Sequence, residues 1–93
     1  MLKGKELFNI GKEYMIAKNA IYGAYAEWDL AYCWEYCTGW IWENQRDNYN
    51  FLKGFFSDIN NVKLGKRDSA AVAIQYKLNK KDVEELAAMD QLD

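Results

Sequence analysis

Leu7, Ile10, Tyr14, Ala17, Ile21, Ala24, Trp28 and Ala31 follow one another at alternating steps of three and four residues, and every member of that series is apolar. Such spacing places side chains on one stripe of an α-helix. The chain has no proline, so no residue of that kind interrupts a long helix. After Thr38-Gly39 the series resumes at Trp42, Gln45, Tyr49, Leu52, Phe56 and Ile59, with Gln45 alone polar. The expected fold is all-α, a small helical bundle built on a long two-helix antiparallel hairpin that turns at Gly39. Helix one is expected from about Lys5 to Cys37 and helix two from about Ile41 to Asn60, with Gly11 and Gly23 as weak points in the first. Glu35 and Gln45 meet across the turn in that arrangement, where they are placed to pair and fix the register.

A competing pattern runs through the same region. Even-numbered positions from Tyr22 to Tyr36 are all apolar, and Thr38-Gly39 is able to close a β-hairpin between Tyr32–Cys37 and Trp40–Asn44, an α+β alternative with its hairpin near 32–44. Length and composition favour helix: a period-two run of 15 residues is far longer than a usual strand of about 5–6, and five alanines lie between Ala17 and Ala31.

Two shorter helices are expected to follow. Asp68 stands where an N-cap belongs, ahead of the apolar run Ala70-Ala71-Val72-Ala73-Ile74, whose composition predicts a buried helix. Asn79 is placed to cap a last helix reaching about Gln91, with Leu78 and Val83 forming a hydrophobic staple across its start.

Chain length and composition narrow the function. Ninety-three residues make a single helical domain, 1–93, that buries a modest fraction of its surface and so favours self-association or partner binding. Twelve basic against fourteen acidic residues supply no general positive field for nucleic acid, and direct nucleic-acid binding is not expected. No apolar run is long enough for a membrane span, and the start Met1-Leu2-Lys3-Gly4-Lys5-Glu6 has no apolar signal core, so a cytoplasmic protein without membrane contact is expected. Cys33 and Cys37 read as reduced, buried small hydrophobes. Ten lysines against two arginines, with eight asparagines, suggest an AT-rich genome.

Histidine is absent, which removes the commonest general base and every imidazole ligand; Thr38, Ser57 and Ser69 are the only hydroxyl nucleophiles of that class. Glu27 and Glu35, or Glu43 and Asp47, share helix faces, but no other group converges on them. Neither catalysis nor a cofactor nor a metal site is expected. Gly4-Lys5, Gly11-Lys12 and Gly65-Lys66 do not match the phosphate-loop spacing.

What stands out is an aromatic excess. Eight of the fifteen aromatic residues, including all four tryptophans, lie between Tyr22 and Trp42. At roughly 150–250 Å² each they represent on the order of 1,200–2,000 Å² to be covered. Tyr22, Trp34 and Tyr36 fall off the seam and Leu30 points nearly opposite Ile21, so helix one is apolar on all sides. Either the C-terminal helices cover the second face or a partner does. The expected contact set is Trp34, Tyr36, Trp40 and Trp42 as anchors with Glu27, Glu35, Glu43 and Asp47 as charged contacts, steering towards a larger, basic protein. Together these features lead to the expectation of a small acidic, non-enzymatic inhibitor that occludes a surface on its target. Size, acidity and codon-biased composition fit, by analogy of class, a phage or mobile-element inhibitor of a host nucleic-acid enzyme, such as an anti-CRISPR. The alternatives are a self-assembling homo-oligomer that consumes its own aromatic surface, and a binder of a small anionic ligand or nucleotide through Lys63, Lys66 and Arg67.

Overall fold

A computed structural model describes residues 2–24 and 45–90, excepting the side chains of residues 17 and 20–24. Four α-helices occur among them: α1 (Gly4–Ala24), α2 (Tyr49–Lys63), α3 (Ser69–Tyr76) and α4 (Lys80–Met89), with a single 3-10 turn, Arg46–Asn48, ahead of α2. The described chain contains no strand, and the fold is all-α. The Gly39 turn, the alternative hairpin near 32–44, Gln45's expected partner Glu35 and both cysteines lie outside the described residues, whereas Gly23 falls within α1.

The heptad series identifies the buried faces. Leu7, Ile10 and Tyr14 of α1 and Leu52, Phe56 and Ile59 of α2 are all buried in one cluster, and the Tyr14 ring stacks on Phe56 with centroids 3.8 Å apart and planes 7° from parallel. Helix two starts later than its periodicity predicts. Gln45 is non-helical (φ −136°, ψ 43°); the Asn48 amide group donates to its side-chain oxygen at 3.0 Å, and the Asn48 backbone N–H donates to its carbonyl at 2.9 Å. Short polar side chains that bond locally compete with the helix, so the run from Gln45 to Asn48 forms a tight turn and the α-helix waits for Tyr49.

The hub is α4, which lies against each of the other three helices. Its Val83 and Leu86 are fully buried. Other helices pack closely on Gly11: a Cβ there would stand 3.0 Å from Leu86 Cδ1 and 3.4 Å from Phe55 Cε2. The glycine expected to weaken α1 instead admits α4 to its surface.

Asp68 caps α3 as its position predicts, its carboxylate accepting from the Ala70 N–H at 3.1 Å. The helix is not buried throughout, however: Val72, Ala73 and Tyr76 face the core, whereas Ile74 is 77 % exposed. An eight-residue helix at the edge meets the core along one stripe, and apolar composition alone does not supply a second neighbour. Asn79 occupies the N-cap of α4 through its backbone only, its carbonyl accepting from Asp82 and Val83 N–H at 3.0 and 3.2 Å with no side-chain cap bond. The two staple residues, Leu78 and Val83, both join the core.

Candidate functional site

Two polar clusters stand out among the described residues, and the first is buried. Lys18 Nζ lies 3.1 and 3.2 Å from the two carboxylate oxygens of Asp90, with both residues almost wholly shielded from solvent. Lys63 at the end of α2 brings a second ammonium to 4.0 Å from the same carboxylate. Next to this pair, Asn19 donates from its side-chain amide to the Met89 carbonyl. Three helices are thus tied at one end of the bundle. Lys18 and Asp90 were not among the residues that motif spacing singled out, yet a signal exists. Lys18 continues the stripe Leu7, Gly11, Tyr14 at steps of four, three and four, and Asp90 follows Val83, Leu86 and Ala87 at the same helical spacing. A charge on an apolar stripe needs a buried partner.

The second cluster is the basic loop between α2 and α3. Gly65 takes a left-handed conformation (φ +76°), closing α2 with bonds from Gly65 N–H to the Val62 carbonyl (3.1 Å) and from Lys66 N–H to the Asn61 carbonyl (2.8 Å). This turn carries the expected anion-binding residues, but directs two of them inward. Arg67 Nη1 is 2.9 Å from Asp58 Oδ1, and Lys63 reaches towards Asp90, leaving Lys66 exposed at the tip. At the start of α3 the Asp68 carboxylate already accepts from a first-turn N–H, where a bound anion would otherwise sit.

Tyr76 completes the second cluster by donating its hydroxyl to Asp58 Oδ2, while its ring meets Phe55 edge-on at 4.9 Å. Burial, then the hydrogen bond to Asp58 and that carboxylate's charge, push the Tyr76 hydroxyl well above its ordinary pKa of 10, against the opposing charge of Arg67. A phenol so held is a neutral hydrogen-bond donor at physiological pH, not a general base.

Of the expected contact set, Glu27, Trp34, Glu35, Tyr36, Trp40, Trp42 and Glu43 lie outside the described residues. Asp47 is exposed in the 3-10 turn, beside exposed Arg46. Among the described residues no three Asp, Glu, Cys or His side chains group as metal ligands, and no helix is long and apolar enough to cross a membrane. Comparisons with family models, with curated proteins and with solved structures find no match to this chain.

Proposed function

We propose that the protein is a small acidic, non-enzymatic binding module that occludes a surface on a larger, basic protein, with the aromatic segment from Tyr22 to Trp42 as its contact region. One observation carries this reading. Eight of the fifteen aromatic residues, including all four tryptophans, lie between Tyr22 and Trp42, a local excess of the residue types that anchor protein–protein contacts. Exposed Asp47 adds a carboxylate suited to electrostatic steering. The class of inhibitor directed by phages or mobile elements at host nucleic-acid enzymes, anti-CRISPRs included, fits this mode of action by size and charge.

The test is affinity capture from a bacterial lysate by the wild-type protein, by Trp34→Ala and by Trp40→Ala, with identification by mass spectrometry. A basic protein retained by wild type and lost by both variants, whose circular dichroism is unchanged, is the expected result. Retention of the same proteins by all three removes the tryptophans from the contact surface and overturns the proposal.

A further inference from the structure

We infer that the outer face of α3, with the lysine-bearing turns at its two ends, docks on the acidic aromatic stretch of a second copy of the chain. Basic residues are unevenly placed in the sequence. Residues 63–81 hold Lys63, Lys66, Arg67, Lys77, Lys80 and Lys81 against Asp68 alone, a net charge of +5, whereas the rest of the chain carries a net −7. In the fold that segment is α3 with the turns that enter and leave it. Lys63 and Arg67 are drawn inward, towards Asp90 and Asp58. The exposed lysines are Lys66 ahead of the helix and Lys77, Lys80 and Lys81 after it, with Lys80 3.7 Å from Glu84 at the surface. Between these two groups the helix, about 12 Å long, turns apolar side chains outward. Val72, Ala73 and Tyr76 are buried on its inner side. Ile74, nearly opposite Val72 and Tyr76 at the helical step, is 77 % exposed, and Ala71, one turn before it, is exposed as well.

A lone exposed isoleucine needs no partner. An apolar face framed at both ends by lysines has the layout of a contact surface, an apolar centre inside a charged rim. Charge selects the occupant. From Glu27 to Asp47 the same chain carries five carboxylates, Glu27, Asp29, Glu35, Glu43 and Asp47, against Arg46 alone, together with all four tryptophans. That stretch complements the α3 face in both charge and apolar character. Ile74 is exposed within its own chain, so the acidic stretch that meets it belongs to another copy. Two such contacts close a symmetric dimer when each copy gives its α3 face to the other. A nucleic acid fits less well. Exposed Asp68 and Glu84, which both reach the first turn of α3, interrupt the lysines where a continuous phosphate chain would pass, whereas separate carboxylates can be spaced around them. The pairing rests on the proposed role of the aromatic stretch as a contact surface, and names the surface that meets it in the absence of a target.

Sedimentation equilibrium of the full chain tests the contact. The proteins compared are wild type, Ile74→Glu, the double reversal Lys66→Glu with Lys77→Glu, and the double reversal Glu43→Lys with Asp47→Lys. Ile74 and both lysines are exposed, so the helical circular dichroism should be unchanged by their replacement. Wild type should self-associate, and its dissociation constant should rise about tenfold or more between about 50 mM and about 500 mM salt, as charges that face each other across a contact are screened. Ile74→Glu and each double reversal should weaken association about tenfold or more at low salt. Mixing the two reversed proteins should restore the dimer mass, because every α3 face then meets a stretch of opposite charge. Association of Ile74→Glu at wild-type strength overturns the inference. So does a mixture of the two reversed proteins that stays monomeric, and so does a wild-type chain that is monomeric at every concentration, which leaves α3 to an acidic partner protein or to no partner. None of these outcomes bears on the target, whose capture is read from Trp34→Ala and Trp40→Ala.

Discussion

At the scale of the residue, Gly11 in α1 and Gly54 in α2 have opposite meanings. Gly11 lies where Leu86 and Phe55 press on the backbone, and Gly54 faces open space. Adding β-branched bulk at the first site forces the packed side chains apart, so Gly11→Val should destabilise the protein by about 2 kcal/mol. At the second, alanine improves helix propensity with nothing to clash, and Gly54→Ala should stabilise by about 0.5–1 kcal/mol. Urea denaturation of both variants checks the pair, and equal effects would remove the special role of Gly11. Tyr76 offers a pH-dependent test. Its folded pKa is raised above the ordinary 10, so its contribution is fully present below about pH 10 and is lost as pH rises towards the folded value. Tyr76→Phe removes a hydrogen bond to a carboxylate and should cost about 1–2 kcal/mol at pH 7. The stability difference between wild type and variant should shrink steadily above pH 10 in chemical denaturation.

At the scale of the element, α2 and α3 end in the same left-handed turn with different residues. Gly65 (φ +76°) closes α2, whereas Lys77 (φ +60°) closes α3, its Leu78 N–H bonding the Ala73 carbonyl at 2.9 Å. A side chain in this conformation costs roughly 1–2 kcal/mol, and glycine there returns about 0.4–1 kcal/mol to the unfolded chain. Lys77→Gly should therefore stabilise by about 0.5 kcal/mol, read from the shift in denaturation midpoint. Gly65 was readable in the sequence as punctuation, but Lys77 was not, because nothing in a lysine announces a positive φ. The same contrast runs through the fold. Periodicity marked Leu7, Ile10, Tyr14, Leu52, Phe56 and Ile59 as core because helical spacing and burial share one cause. It misplaced the start of α2, where local bonding between Gln45 and Asn48 prevails over the stripe. Apolar composition overstated the burial of α3, since it counts apolar side chains and not neighbours. The Lys18–Asp90 pair escaped because its partners are 72 positions apart and only tertiary structure brings them together. For the aromatic contact set, the sequence marks an excess of apolar surface but carries no signal for what covers it.

At the scale of the whole molecule, the four described helices share one core centred on α4, and all four tryptophans fall between Trp28 and Trp42 in the sequence. Tryptophan fluorescence therefore reports on that segment of the chain alone. An aromatic segment larger than a monomer's usual exposed patch of ~300–600 Å² favours association through that surface, and a symmetric dimer is the simplest closed form. Light scattering at tens of micromolar should report a dimer or larger. On dilution, the scattering mass should fall to that of a monomer over the same concentration range in which a soluble quencher gains access to the tryptophans. Coincidence of the two transitions places the aromatic residues in the interface. A monomer at all concentrations with tryptophans shielded throughout would mean that the chain covers its own aromatic surface, and both the self-association and the binding-module proposal would then have to be abandoned.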